Sequence, residues 1–450
     1  MSEVIKIRRG LDIKLAGKAE KIFMRAEPSE YYAVKPVDFH NLIPKLTVKA
    51  DNIVKAGTPL FYDKYCPEIL FTSPVSGKVI AINRGERRRI LEVVIKADPE
   101  IQYESFSIGE PSKMSTGEVK ENLLKSGLWP TIRQRPYDII ANPEEKPKAI
   151  HISAFNTAPL APDYDFTVKG CEVEFQKGID ALFKLTYGKI HLNINYEYPA
   201  SQVFTKAQNV QINKFSGPHP AGNVGVQIHN IDPLNKGDLV WYISPQDVII
   251  IGRLFDKGIY DASKVIALTG SEVLKPRYYK LIGGASIRNV LDNNVSEGIN
   301  RYISGNVLTG TKIHADGYLG YYDSQITVIP EGDHYDFLGW ALPGFEKYSA
   351  SRAFWSWILP SKMYRMDTNL NGGLRAFVLT GQYEKVFPMD IYPVQLIKAV
   401  IIEDIDQMEK LGIYEVAPED FALCEFVCTS KKDVQAIIRK GLDLMIKEML

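Results

Sequence analysis

Along the first hundred residues, apolar positions recur every second residue in short bursts separated by turn residues, the pattern of half-buried strands. Ile5, Ile7, Leu11, Ile13 and Leu15 open the chain with this alternation. Ile80 and Ile82 continue it, a turn at Arg84–Arg87 reverses the chain, and Ile90–Ile95 returns, predicting a hairpin. Near residue 105 the period lengthens. Ser115 and Glu118 form a capping box ahead of Val119, Leu123 and Leu124, and Gly127 supplies a helix stop. A strand is expected at Ala149–Ser153, then a helix through Ile179–Leu185 and a strand at Ile190–Ile194. Ser244, Pro245 and Asp247 make a strong helix start for Val248, Ile251, Leu254 and Phe255, with Gly258 as its stop.

Alternating strands and helices imply a mostly parallel, Rossmann-like sheet. A new unit opens with a strand at Val265–Gly270. A helix after Gly283–Ser286 carries Ile287, Val290 and Leu291, and a strand follows from Ile303, together a compact ubiquitin-like element. Residues 331–385 form an aromatic excursion with Trp340, Phe345, Phe354, Trp355 and Trp357. The tail is helical. Pro393 begins one helix and Pro418, Glu419 and Asp420 a second. Ser430 and Asp433 cap the last, with Val434, Ile437, Ile438, Leu442, Met445 and Ile446 on its apolar face. The fold class expected is therefore multidomain α+β: an N-terminal β domain (1–104), a Rossmann-like α/β domain (105–258), a ubiquitin-like domain (259–330), the aromatic excursion (331–385) and a helical domain (386–450).

Composition narrows the function classes. With 54 basic and 54 acidic residues the net charge is zero, which argues against a nucleic-acid partner. No stretch approaches the ~18 apolar residues of a membrane span, the start has no signal-peptide pattern, and the 4 cysteines give no disulfide framework. A cytosolic or membrane-peripheral chain is expected. No strand is followed by G-x-G-x-x-G, and P-loop, H-E-x-x-H and G-x-S-x-G motifs do not occur. Candidate chemistry is sparse. His219 and His229 flank a glycine–proline loop that fits either a ligand-contacting turn or a purely structural one. Pro418, Phe421, Cys424 and Cys428 have the spacing of a four-cysteine cluster motif with its first two positions replaced. Two thiolates cannot hold a cubane, so the pair is a remnant or simply two buried thiols.

Two resemblances organise these fragments. Val54–Lys64 with Phe71–Val79 resembles the lipoyl/biotinyl carrier barrel-sandwich, in which Lys64 falls near the modified lysine; its own surroundings suggest a solvated lysine in a bend. Lys6–Gly17, Phe71–Arg88, Ser126–Asp138, Phe215–Pro233 and Ala422–Cys428, in that order, resemble the A subunits of bacterial Na+-translocating NADH:quinone oxidoreductases over essentially the whole chain. That family is related to RnfC and to the flavin- and NADH-binding component of complex I, and its ubiquitin-like unit is of the SLBB type. In those relatives a glycine-rich loop cradles flavin phosphate. Here the loop is Gly127–Pro136, where Trp129 and two prolines stand, and the acidic stretch that follows is replaced by Ser153–Pro159.

The resemblance implies a peripheral component on the cytoplasmic side of the bacterial inner membrane, with no redox cofactor of its own. FAD, a 2Fe–2S centre, FMN and riboflavin would lie in other components, with NADH, quinone and Na+ as substrates. Partners would be the other Nqr proteins, NqrB to NqrF, the membrane-embedded NqrB above all. Quinone contact carries over to Val37–Pro44 and Ile132–Ile139, where Phe39, His40 and Tyr137 can stack or hydrogen-bond and Arg133 and Arg135 can polarise a carbonyl. His219 is a further candidate. Arg133 and Arg135 fit equally well as partners of carboxylates at an interface between components. The alternative overall is a purely structural docking role without quinone contact.

Overall fold

The computed structural model describes residues 4–334, 337, 339 and 344–449. Four sheets and a helical tail make up the described chain. The N-terminal sandwich packs a four-stranded antiparallel sheet (Tyr31–Val34, Ile90–Ala97, Gly77–Arg84, Ile53–Val54) on a three-stranded one (Pro44–Leu46, Pro59–Asp63, Leu70–Thr72). The inward residues of both sheets, among them Leu60, Phe61, Phe71, Val79, Val93 and Ile95, are fully buried. Lys64 lies exposed in the bend after Pro59–Asp63, and Arg87 and Arg88 are exposed in the turn of the long hairpin.

The α/β domain is built on a seven-stranded sheet in the order Val4–Lys6, Gln211–Ser216, Lys189–Asn195, Ala149–Ser153, Val240–Tyr242, Arg133–Arg135, Ile139–Ile140. The first five strands are parallel and the last two antiparallel. Helices Glu172–Phe183 and Pro245–Lys257 cross closely on one face. A Cβ at Gly178 would lie 2.1 Å from the Val248 carbonyl oxygen and one at Gly252 1.7 Å from that of Glu174, so both crossing points require glycine. The expected helix signals hold: Ser115 and Glu118 cap each other's backbone, Ser244 caps Pro245–Lys257, and Gly127 and Gly258 adopt the left-handed conformation at the two C-termini.

The third unit is a six-stranded mixed sheet: Thr311–Ile313, Asn300–Ser304, Gln325–Pro330, Ser263–Thr269, Arg277–Ile282 and Phe23–Met24. Its helix is a single turn, Arg288–Leu291, shorter than the sequence pattern suggests, although Ile287, Val290 and Leu291 are buried as expected. The tail packs Pro393–Ile401, Ile405–Lys410, Ala422–Val427 and Val434–Met449 into a second core with Phe387, Leu396, Phe421, Cys424 and Leu442. The cap of the last helix is Asp433, which accepts the Ala436 N–H, whereas the Ser430 hydroxyl donates to the Ala376 carbonyl.

Strand pairing departs from a division at residue 104. Of the five alternating apolar residues at the start, only Ile5 lies in a strand, and that strand, Val4–Lys6, joins the α/β sheet rather than the sandwich. Leu15 bridges Tyr364, and Phe23–Met24 pairs in parallel with Arg277–Ile282. The short apolar runs have too few partners within the sandwich and bury themselves against three later parts of the chain. In the aromatic excursion the described residues are mostly irregular, with a 3-10 turn at Trp355–Ile358 and a short helix, Tyr383–Val386, at its end; Trp340 lies outside the described residues.

Candidate functional site

The strand Arg133–Arg135 ends in a tight reversal. Tyr137 (φ 78°) and Asp138 (φ 56°) both take the left-handed conformation, which lets Ile139–Ile140 fold back beside Arg133 and Gln134. A bulky tyrosine there is strained, at a cost of order 1 kcal/mol. The tail supplies the compensation: Arg439 donates through Nη1 to the Tyr137 carbonyl (2.7 Å) and through Nη2 to Asp138 (3.2 Å). Tyr242 also donates to Asp138, and the Tyr137 ring meets Tyr414 edge-on at 6.2 Å. Burial pushes the Asp138 carboxyl up, but Arg133, Arg135 and Arg439 outweigh it and hold it below its ordinary range.

Arg133 and Arg135 point from alternate positions of one strand and meet different surroundings. Arg135 has no exposed side-chain surface. Its Nη1 donates to Asp420 and its Nη2 to Glu419, each at 2.7 Å, and Asp420 is equally buried. Burial opposes the Arg135 charge, while Asp420 and Glu419 hold it firmly protonated. The carboxylates expected across an interface with another protein are thus found inside the chain, and the Arg135 guanidinium is a clasp between the α/β domain and the tail. Arg133 is 31% exposed. Its guanidinium lies over the Tyr242 ring at 4.6 Å and the Tyr322 ring at 4.5 Å, with Asp138 3.5 Å away.

The remaining candidates fall around this seam or away from it. Phe39 is buried against Phe71, Tyr321 and Tyr322, so it backs the ring on which Arg133 lies. His40 is half-buried and its Nε2 sits 2.6 Å from Asp443 of the last tail helix. His219 belongs elsewhere. It is buried, with Nδ1 3.1 Å from the Thr157 hydroxyl and its backbone N–H on Asp12, and burial pushes the imidazole down to about 4. His229 accepts the Asp390 N–H at Nε2, which leaves Nδ1–H to donate to Glu415 at 2.7 Å. Sequence reasoning missed Tyr242, Tyr322, Asp138 and Arg439. It placed Glu419 and Asp420 only as helix-start residues.

Beside the seam lies a narrow cavity of about 30 Å³ where the sandwich, the α/β domain and the six-stranded sheet meet. Lys35, Asp38, Thr131, Asp247, Lys264 and Tyr321 line it, and the Tyr321 hydroxyl has no hydrogen-bond partner. The space suits one or two waters and is far too small for a quinone ring.

The loop Gly127–Pro136 is packed solid. Trp129 is fully buried, donates its indole N–H to the Ala141 carbonyl at 2.7 Å and meets Trp241 edge-on at 5.5 Å. At the start of helix Val224–Ile231, a Cβ on Gly225 would lie 2.6 Å from both Asp420 carboxylate oxygens. The tail's own anion therefore occupies the space that a helix N-terminus offers to a phosphate. These residues do not fit a flavin phosphate. Cys424 and Cys428 are 0% and 2% exposed in the tail core, and burial pushes the Cys424 thiol well up. Among the described residues no group of three or more His, Cys, Asp or Glu side chains has the arrangement of a metal site.

Comparison with known proteins decides the family. Profiles described as the NqrA N-terminal barrel-sandwich hybrid domain, the NqrA second alpha/beta domain and the NQRA C-terminal domain match residues 5–98, 114–260 and 265–315. A subunits of Na(+)-translocating NADH-quinone reductases match end to end. That of Yersinia pestis bv. Antiqua (strain Angola) is 38% identical over 450 residues, covering 99% of this chain and 100% of that protein. The chain belongs to the NqrA family. The NqrA relative from Neisseria meningitidis serogroup A / serotype 4A (strain DSM 15465 / Z2491) is 39% identical over 450 residues, with the same coverage. A NAD+-reducing [NiFe]-hydrogenase superposes at a TM-score of 0.40 and 12% identity, covering 75% of this chain and 62% of that one, which is too distant to add to the family assignment. As an NqrA-family member the chain is one component of a sodium-translocating respiratory enzyme. No described helix is long and apolar enough to cross a membrane.

Proposed function

We propose that this NqrA-family chain supports quinone reduction in the pump by contributing a quinone-contacting arginine, without a redox group of its own. Electron carriers would lie in the partner proteins, and the chain would dock on the cytoplasmic side, chiefly on the membrane-embedded NqrB. Its N-terminal sandwich is a lipoyl-like barrel used as structure, with Lys64 unmodified. The observation that carries the quinone reading is Arg133: it alone of the two strand arginines reaches the surface, stacked on Tyr242 and Tyr322. Burial works against its charge, but Tyr242 and Asp138 beside it hold it above its ordinary value. A fixed cation next to two aromatic faces can stack a quinone ring and donate to a carbonyl oxygen as negative charge develops there. His40 and Tyr137 edge the same seam, and Phe39 supports Tyr322 from behind.

The packed loop at Trp129 and the carboxylate at Gly225 support the absence of a flavin from this chain. The test is Arg133→Ala in the assembled complex. A hydrogen bond to a charged donor is worth about 1.5–3 kcal/mol, so the quinone KM should rise about ten- to a hundredfold. NADH oxidation by an artificial acceptor should stay unchanged. Unaltered quinone kinetics and inhibitor sensitivity would leave the purely structural docking role.

A further inference from the structure

A twenty-residue stretch of the aromatic excursion, 344–363, presents six apolar side chains outward on a frame that is itself well tied down. Phe345, Trp355, Trp357, Ile358, Leu359 and Met363 are each between 47% and 56% exposed. The frame is held from within: the Ser349 hydroxyl accepts the Phe354 N–H, the Ser356 hydroxyl accepts the Ser349 N–H, and Lys362 reaches both the Phe345 carbonyl and Glu346. It is anchored behind by Tyr364, 1% exposed, whose N–H donates to the Lys14 carbonyl at 2.8 Å. Arg365 adds a two-bond pairing with Glu272, in the turn after strand Ser263–Thr269, at 2.6 and 3.0 Å. A loop that had merely failed to bury its aromatics would not be fastened in this way.

The charges on the motif choose the occupant. Between residues 344 and 363 there are three basic residues, Lys347, Arg352 and Lys362, and one acidic residue, Glu346, with which Lys362 is paired. Arg352 lies over the Trp357 ring at 5.4 Å and Lys347 over the Phe354 ring at 5.5 Å. Tryptophans beside basic side chains, with aliphatic residues between them, match the boundary between lipid headgroups and acyl chains, where indoles settle and cations meet phosphates. We infer that residues 344–363 are an interfacial anchor that seats this protein on an anionic lipid surface. The anchor rests on the reading of the chain as a membrane-peripheral component, and adds direct lipid contact to attachment through protein partners.

The test is co-sedimentation of the isolated full-length chain with phosphatidylcholine vesicles with and without phosphatidylglycerol. Binding is expected to the anionic vesicles and to fall with salt. Arg352→Glu changes the charge by two and should weaken partition about thirtyfold. Trp355→Ser with Trp357→Ser should abolish it, while Ile53→Ser, at an 83% exposed site on the sandwich, should not. Brominated lipid should quench the surface tryptophans, because Trp129 and Trp241 are 0% and 1% exposed and out of reach. Vesicle binding that is absent, or equal in the wild type and the double tryptophan variant, overturns the anchor. If those variants instead fail only to join the membrane-embedded partners, the motif binds protein and the lipid anchor is overturned. Quinone kinetics of Arg133→Ala are read separately, so either idea can fail alone.

Discussion

Replacing Arg135 by alanine should loosen the tail by an amount that depends on pH. The clasp consists of two charge-assisted hydrogen bonds of 2.7 Å, and both Arg135 and Asp420 have no exposed side-chain surface. Removing one partner of a buried pair costs about 3–5 kcal/mol, because the other charge is stranded. Asp420 retains the Ala417 N–H at 2.9 Å, which places the loss toward the lower end. A ceiling also applies. A stranded carboxylate can escape by taking up a proton, which is easier at pH 5.5 than at pH 7. The penalty of Arg135→Ala should therefore shrink as the pH falls. Urea unfolding of wild type and variant at both pH values measures it, with limited proteolysis reporting whether the tail separates first. A double replacement, Arg135→Met with Asp420→Leu, should recover much of the loss, since no charge is left buried. A single-variant loss below about 1 kcal/mol, or one that grows on acidification, would refute the clasp.

Two further outcomes follow from the same packing. Gly225→Ala would put a Cβ 2.6 Å from the Asp420 oxygens and 2.9 Å from Arg135 Nη1; despite the better helix propensity of alanine it should destabilise by about 1–3 kcal/mol, read from the denaturation midpoint. His219 is held neutral by burial, with its pKa lowered from 6.5 to about 4. Its contribution is fully present above pH 6.5 and is lost as the pH falls toward 4, by about 3 kcal/mol in total. His219→Gln should flatten that part of the stability profile, and an unchanged profile would contradict the buried neutral ring.

Local signals in the sequence proved dependable where a helix end or a hairpin depends on neighbours close in the chain. Ser115 with Glu118, Ser244 with Pro245, and the 77–97 hairpin are of this kind. The seam was half legible. Arg133, Arg135 and Tyr137 stood out in one segment, but the partners of Arg135 lie more than 280 residues away in sequence, at Glu419 and Asp420. There an acidic pair after a proline reads equally well as an ordinary helix start. Arg439 had no local mark at all, because its role depends on the left-handed turn at Tyr137. The starting segment misled for a related reason: alternation announces a strand, but not which sheet will take it.

That segment has a consequence for how the molecule is made. Its first strand is completed by Gln211–Ser216, its second by Arg277–Ile282, and Leu15 by Tyr364. This segment leaves the ribosome well before the parts that complete it and is thus among the last to find its place. At about 5–20 residues per second it waits on the order of tens of seconds, with Ile5, Ile7, Ile13 and Leu15 uncovered. During synthesis this segment behaves as a loose thread, and only once the later domains exist can it draw them together.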